Sequence, residues 1–331
     1  MVLHNHIITP YVILVVLVMH IAVVGTGNVG RTIAYTLLYE GLCDELSLVD
    51  IKPGLADALA DELKHAAAGL RRDVRIYAYE RDEDLHSADL IIVSAGFPRP
   101  PGVEMSRRDL FRKNAEIIKY IAEVVPPNNP GARYVIVTNP VDAMATLFRR
   151  ISKASFVIST GTHLETLRFR ARLAEVLNVP VSKVDGFVGG EHGEEAIILW
   201  STVRVFGIPI NEYVKTYCLS LDKDSIESYV RRISVKIINA LGATRFGPAV
   251  AFRDIVKAIV NNLDTVLSIA IPLKFNEIPE EVMVSIPTKV GMDLGPTLYE
   301  YLNQEEKEGV VRAAKAIYKT YVNSLKYLGL Y

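Results

Sequence analysis

The sequence predicts an α/β fold, with a doubly wound, mostly parallel sheet followed by an α+β part. Three observations predict it. Near the N-terminus a short apolar strand runs into a glycine-rich turn, a helix, a second strand and an acid. Apolar strands then alternate with helices to about residue 160, the pattern of a parallel sheet built from βαβ units. Beyond that point the alternation gives way to longer helices, two late strands and a final helix.

The first element needs a decision about where the fold starts. Tyr11 to Val18 is unbroken apolar sequence and continues into Met19–Val24. A secretory signal needs basic residues before the apolar run and a small-residue cleavage site after it. Here only His4 and His6 precede the run, and a cut near Ala22 would destroy the following strand. A membrane span of about 18–20 apolar residues would absorb that same strand. The domain is therefore expected to begin at Met19. Residues 1–18 form an apolar extension, either an accessory segment or an upstream start that the fold does not need.

His20–Val24 reads as a buried strand, followed by Gly25-Thr26-Gly27-Asn28-Val29-Gly30 and a helix through about Tyr39. Glu45–Val49 is a second strand ending on Asp50, twenty residues after Gly30. Strand, G-x-G-x-x-G, helix, strand and acid together form the fingerprint of a Rossmann-type dinucleotide site. Gly25 permits the tight turn, Gly27 lets the backbone meet the pyrophosphate, and Gly30 lets helix pack on strand. The helix N-terminus at Asn28 and Val29 presents free N–H groups and partial positive charge to the phosphates. Asp50 at the strand end accepts from ribose hydroxyls and repels a 2′-phosphate, which favours NAD over NADP. Lys52 softens that preference.

The alternation continues with a helix over Leu55–His65 and strands over Val74–Tyr79, Leu90–Ser94 and Tyr134–Thr138. Pro126 to Gly131 is a helix-to-strand loop. A sixth strand ends near Phe156–Thr160, so the expected division is a dinucleotide-binding domain at 19–160 and a substrate domain at 161–331. The second part carries strands at Thr265–Ile271 and Glu281–Ile286 and a helix over Gln304–Leu328.

Composition limits the function. The chain has 331 residues, half of them apolar, 23% charged residues and a net charge of −1. That excludes disorder and provides no basic footprint for nucleic acid or anionic membrane. Cys43 and Cys218 form no disulfide framework and have no metal-ligand spacing, which suits a reducing cytoplasm and no metal centre.

Four stretches are candidates for chemistry. In Gly189-Gly190-Glu191-His192-Gly193-Glu194-Glu195, glycines flank a histidine just after the mostly apolar Val184–Val188 stretch, which reads as a short strand. An imidazole there can exchange a proton near neutrality, although the heptapeptide alone is equally a bland loop. Ser94 to Leu110 leaves a strand end with three prolines before Gly102 and with Arg99, Arg107 and Arg108, a cationic loop suited to closing over an anion. Val137-Thr138-Asn139-Pro140-Val141-Asp142 also leaves a strand end. In Gly161 to Arg170, Glu165 and Arg168 stand three apart and share one helix face.

Taken in order, G-T-G-N-V-G with Asp50, A-G-F-P-R…S-R, V-T-N-P-V-D, L-E-T-L-R-F-R and G-E-H-G resemble the lactate/malate dehydrogenases from Met19 to the C-terminal helix. The resemblance implies that His192 is the proton donor and acceptor, that Glu165 orients it and that Arg168 clamps the substrate carboxylate. It implies that Arg107 polarises the carbonyl and that Asn139 lies near the nicotinamide and the substrate oxygen. It places Asn114 and Thr138 with Asn139 among the cofactor contacts. His163 is the nearest competitor to His192, but its position two before Glu165 suits a helix entry.

Two departures stand out. The orienting acid is usually aspartate, and Glu165 reaches about 1.5 Å further, one carbon–carbon bond. The loop is longer by the pair Val103-Glu104, which leaves Arg107 and Arg108 as alternatives for the inward arginine.

Substrate choice rests on Arg99. In the resemblance this position is neutral in lactate enzymes and arginine in malate enzymes. A closed pocket holding a second guanidinium is satisfied by a four-carbon dicarboxylate and not by a methyl group. The expected reaction is reversible hydride transfer between malate/oxaloacetate and NAD. Lactate/pyruvate is the second reading, and a catalytically silent NAD-binding protein the third. The joint presence of His192, Arg168, Asn139 and the loop arginines argues against the last. The resemblance also implies a homo-oligomer, with a tetramer favoured over a dimer.

Overall fold

Residues 20–24 are buried along their whole length, His20 at 8% exposure and the rest at 1% or less. Such a strand needs cover on both faces, which is why it reads as a continuous apolar run. The computed structural model describes residues 18–97 and 107–331, with the main chain alone at 107–109. The expected extension at 1–18 lies outside the described residues except for Val18.

In chain order the first half runs β1 (His20–Val24), α1 (Asn28–Glu40), β2 (Glu45–Val49), α2 (Leu55–Leu70), β3 (Arg75–Tyr79), β4 (Leu90–Val93), α3 (Arg107–Val124), β5 (Arg133–Ile136), α4 (Val141–Ser152) and β6 (Val157–Ser159). The strands lie in the order β3-β2-β1-β4-β5-β6 and pair in parallel. This is the doubly wound order, and it reverses between β1 and β4, where such sheets open a crevice for ligands. Alternate residues of β1 enter two cores. Ala22 and Val24 join the core that includes residues of α3 and α4, while Ile21 and Val23 join the one that includes residues of α1 and α2.

The second half continues with α5 (His163–Leu177), β7 (Val184–Gly190), β8 (Ala196–Val205), β9 (Ile208–Pro209), α6 (Ile210–Thr216), α7 (Lys223–Leu241), α8 (Phe246–Val260), β10 (Thr265–Leu273), β11 (Val282–Val290), β12 (Leu294–Thr297) and α9 (Gln304–Tyr327). Its strands pair antiparallel and extend the first sheet edge to edge as β6-β10-β11-β7-β8-β9, with β12 also on β11. The two expected late strands are present as β10 and β11. The long β7–β8 hairpin, with His192 in its turn, is additional to them. It folds because β8 alternates apolar residues onto a third core, where Ile198 and Val203 meet Phe169 and Leu173 of α5 and Ile226 and Val230 of α7.

Helix α2 extends past His65 to Leu70, through three successive alanines that favour helix. It stops where Arg71 turns left-handed, its N–H meeting the Ala67 and Ala68 carbonyls.

The glycine turn between β1 and α1 shows why its spacing is strict. Gly25 has φ +89°, and a Cβ there would lie 2.4 Å from the Ala95 main chain just beyond β4. A Cβ on Gly30 would lie 1.9 Å from the Gly25 carbonyl oxygen and 2.8 Å from Ser94 Oγ. A Cβ on Gly27 would meet nothing within 4 Å. Two glycines therefore serve the packing of the protein itself, whereas the middle one keeps space open outside it.

Gly30→Ala should destabilise the fold by about 1–3 kcal/mol through overpacking. Gly27→Ala should cost only about 0.5–1 kcal/mol as a poorer N-cap, yet weaken NADH binding. Thermal unfolding beside NADH fluorescence titration separates the two effects. Full NADH affinity in Gly27→Ala would remove this turn from the cofactor site.

Candidate active site

The cofactor half of the site sits at the carboxyl ends of β1, β2, β4 and β5. Asp50 pins the glycine turn, with Oδ2 accepting from Thr26 N at 2.8 Å and Thr26 Oγ1 at 3.2 Å. Its Oδ1 accepts from Lys52 N at 3.0 Å. A carboxylate offers about four acceptor sites, so capacity remains for ribose hydroxyls. Helix α1 has no side-chain cap at Gly27 and no acid in its first turn. Its leading N–H groups, at Asn28 and Val29, are thus left for an anion. The uncapped helix end, the open space at Gly27 and the acid at the strand end all fit an NAD pyrophosphate and ribose.

Asn114 and Thr138 each bond the protein's own main chain. Asn114 Oδ1 accepts from Phe97 N, and its Nδ2 donates to the Asn139 carbonyl, both at 2.7 Å. Thr138 Oγ1 donates to the Ala95 carbonyl at 2.6 Å. Together they tie the end of β4 to the end of β5. Asn139 itself is exposed at that strand end.

The chemical half comes from α5 and the β7–β8 hairpin. Glu165, in the first turn of α5, is 5% exposed. Its Oε2 meets His192 Nδ1 at 3.0 Å and its Oε1 accepts from Arg168 Nη1 at 3.1 Å. The longer acid thus holds the imidazole at an ordinary hydrogen-bond distance and bridges it to the guanidinium one turn along the helix. Pairing at Nδ1 leaves Nε2 as the nitrogen that can exchange a proton with a ligand. Burial by itself lowers the His192 pKa, but the Glu165 charge and hydrogen bond, with Asp142 behind them, outweigh it and raise the value to about 9. Burial likewise raises the Glu165 carboxyl, and the His192 and Arg168 charges more than offset it, leaving the group below its usual range.

Two acids near the imidazole were not singled out in the sequence. Asp142, 2% exposed, accepts the His192 main-chain N–H at 2.8 Å and the Ser159 hydroxyl at 2.7 Å. Burial pushes it up to about 6 against those bonds. Burial and then the Asp142 charge lift Glu191 to about 7. Asp142 belongs to V-T-N-P-V-D and Glu191 to G-E-H-G, but nothing local in the first points its aspartate at a histidine fifty residues away. His163 opens α5 and is engaged elsewhere, its Nε2 lying 3.1 Å from Asp254 of α8.

Arg99 lies outside the described residues. Arg107 begins α3, and its side chain, like that of Arg108, lies outside them too. Among the described residues no group of three or more His, Cys, Asp or Glu could hold a metal ion.

Comparisons agree with this geometry. The family model of the lactate/malate dehydrogenase NAD-binding domain matches residues 19–156, and that of the lactate/malate dehydrogenase α/β C-terminal domain matches 162–325. The malate dehydrogenase of Sulfurisphaera tokodaii is 42% identical over 308 residues, 93% of this chain and 97% of that protein. L-lactate dehydrogenase 1 of Clostridium acetobutylicum is 32% identical over 303 residues, 90% of this chain and 96% of that protein. The solved apo structure of malate dehydrogenase from Picrophilus torridus superposes with a TM-score of 0.84 at 28% identity, covering 95% of this chain and 99% of that one. With two family domains matched in order, and relatives more than 30% identical over nine-tenths of its length, the chain belongs to the lactate/malate dehydrogenase family of NAD-dependent oxidoreductases.

Proposed function

We propose that this chain interconverts malate and oxaloacetate, with His192 as the proton carrier. The observation that carries the reading is the Glu165 bridge. It engages Nδ1 of His192 and one Nη of Arg168, and the rest of both cations serves the substrate. In malate oxidation Nε2 accepts the hydroxyl proton while the C–H hydride departs, and Glu165 stabilises the imidazolium that forms. NAD, when bound, supplies the hydride acceptor. Arg168 offers a planar fork to one carboxylate. Arg107 stabilises charge developing on the carbonyl oxygen, and Asn139 stands beside that oxygen. In the reverse direction protonated His192 returns the proton.

Malate is preferred over lactate on two grounds. Arg99 follows the A-G-F-P frame and would pair with a distal carboxylate, and the malate dehydrogenase relative is nearer in sequence than the lactate dehydrogenase one. The reading includes a cytoplasmic homo-oligomer, a tetramer over a dimer. Cys43 and Cys218 are free, and no helix among the described residues is long and apolar enough to cross a membrane. Helix α7 exposes Val235, Ile238 and Leu241 at helical spacing, next to Phe246 at 80% exposure, apolar surface of the kind that assembly covers.

Replacing His192 with Asn should leave NADH binding intact and lower turnover about 10²–10⁴-fold through loss of acid–base catalysis. Near-normal oxaloacetate reduction by this variant would sink the assignment.

The pH profile has a defined sign. A free-enzyme imidazole at about 9 stays protonated across neutrality. Thus kcat/KM for oxaloacetate should hold until about pH 9 and then fall, while kcat/KM for malate should rise through the same range. Glu165→Gln should move both limbs down by about 1–3 pH units, the size of one adjacent opposite charge. Unmoved limbs would show that another group sets the imidazole.

Arg99→Gln should lower kcat/KM for oxaloacetate about 10²–10³-fold, from about 3–5 kcal/mol for a buried pair broken on one side. Pyruvate should lose nothing. Arg107→Gln should depress both substrates, since carbonyl polarisation is common to them. Equal slowing of the two substrates by Arg99→Gln would remove the main support for malate.

A further inference from the structure

We propose that Asp142 is a positioning residue for His192, its buried carboxylate braced by Ser159 and holding the main chain from which the imidazole projects. The inference rests on the reading of His192 as the acid/base group. His192 stands in a hairpin turn between Gly190 at φ +88° and Gly193 at φ +155°, a backbone with little stiffness of its own. Two contacts compensate. Glu165 at Nδ1 sets the tilt of the ring, and Asp142 Oδ2, 2.8 Å from the His192 N–H, sets its root.

The second contact is itself fixed from behind. Ser159, fully buried at the end of β6, donates to Asp142 Oδ1 at 2.7 Å and accepts the Gly161 N–H at 3.1 Å. Helix α4, strand β6 and the hairpin therefore meet on one side chain. A carboxylate suits this place because it only accepts, and both of its partners here are donors. Its charge also faces the imidazole. The charged groups that act on Asp142 or on the imidazole are Glu165 and Arg168 from α5 and Glu191 and His192 from the hairpin, with Glu195 acting on Glu191.

Asp142→Ala removes the hold and the charge. Asp142→Asn keeps one acceptor for the His192 N–H, removes the charge, and turns an NH2 toward the Ser159 hydroxyl, which can accept from it. The test is kcat, NADH Kd and the alkaline limb of kcat/KM on both variants of the full chain. Asp142→Ala should lose about 10²-fold in kcat per NADH-binding site, the effect of a catalytic group displaced by about 1 Å, at unchanged NADH Kd. Asp142→Asn should recover most of that loss but with the limb at lower pH. A merely structural role would lower the folded fraction and leave both readouts in place. Unchanged kcat per site in Asp142→Ala, or an unmoved limb in Asp142→Asn, overturns the proposal. Should Asp142→Ala fail to fold, Ser159→Ala serves instead, and undiminished kcat per site there overturns it equally. An active His192→Asn would indict the acid/base reading, whereas an essential His192 with an indifferent Asp142 indicts this one alone.

Discussion

A carboxylate with 5% exposure, Glu165, must be paired or it would cost more than a fold of this size can spare. Its two partners come from different distances along the chain. Arg168 is three residues on, supplied by helix geometry alone. His192 is twenty-seven residues on and reaches it only if the β7–β8 hairpin packs correctly against α5. Folding of the second half and assembly of the acid–base pair are therefore one event. The position of Glu165 in the first turn of α5 adds the positive end of a helix to the hold.

The same dependence appears where the two kinds of sheet meet. The parallel part joins the antiparallel part through the single pairing of Ala270 with Ser159, and next to it β11 meets β7 through the single pairing of Ser285 with Gly190. Small buried side chains occupy that seam. Ser285 Oγ accepts the Thr162 N–H at 3.1 Å, and Gly161 lies so near it that a Cβ there would come within 2.4 Å. The chain crossing the seam leads straight into α5, which carries Glu165 and Arg168. Close packing at 159–162 thus sets the distance between the NAD-binding crevice and the groups that act on the substrate.

Charge around His192 is balanced by burial as much as by pairing. Asp142 and Glu191 are lifted to about 6 and about 7, so near neutrality Asp142 stays largely ionised while Glu191 carries only part of its charge. That lessens repulsion of an anionic substrate approaching Arg168. Glu165, held by two cations, stays ionised, and its charge does most to keep the imidazole protonated, with Asp142 adding to it.

Much of this was legible in the chain. Periodicity located the parallel strands to within a residue or two, since a strand covered on both faces must be apolar throughout. The spacing from Gly25 to Asp50 identified the dinucleotide turn, because backbone sterics allow few residues there. Motif order brought out His192, Glu165, Arg168 and Asn139. Strand β8 lies outside the sequence reading, although Ala196–Trp200 is an unbroken apolar run, because a short apolar run fits a buried strand and a buried helix segment equally well. Asn114 and Thr138 read as cofactor contacts, and the structure adds that their amide and hydroxyl also tie main-chain groups of neighbouring strand ends. Asp142 read only as part of a motif. What the sequence by itself determined were local properties: which backbone turns are allowed, which strands are buried, which helix face carries an acid and a base. The tertiary structure alone decided that Asp142 holds the main chain of His192 and that Ser159 braces it. Those contacts depend on which buried donors fall opposite which acceptors once distant elements have packed, and no residue announces its partner along the chain.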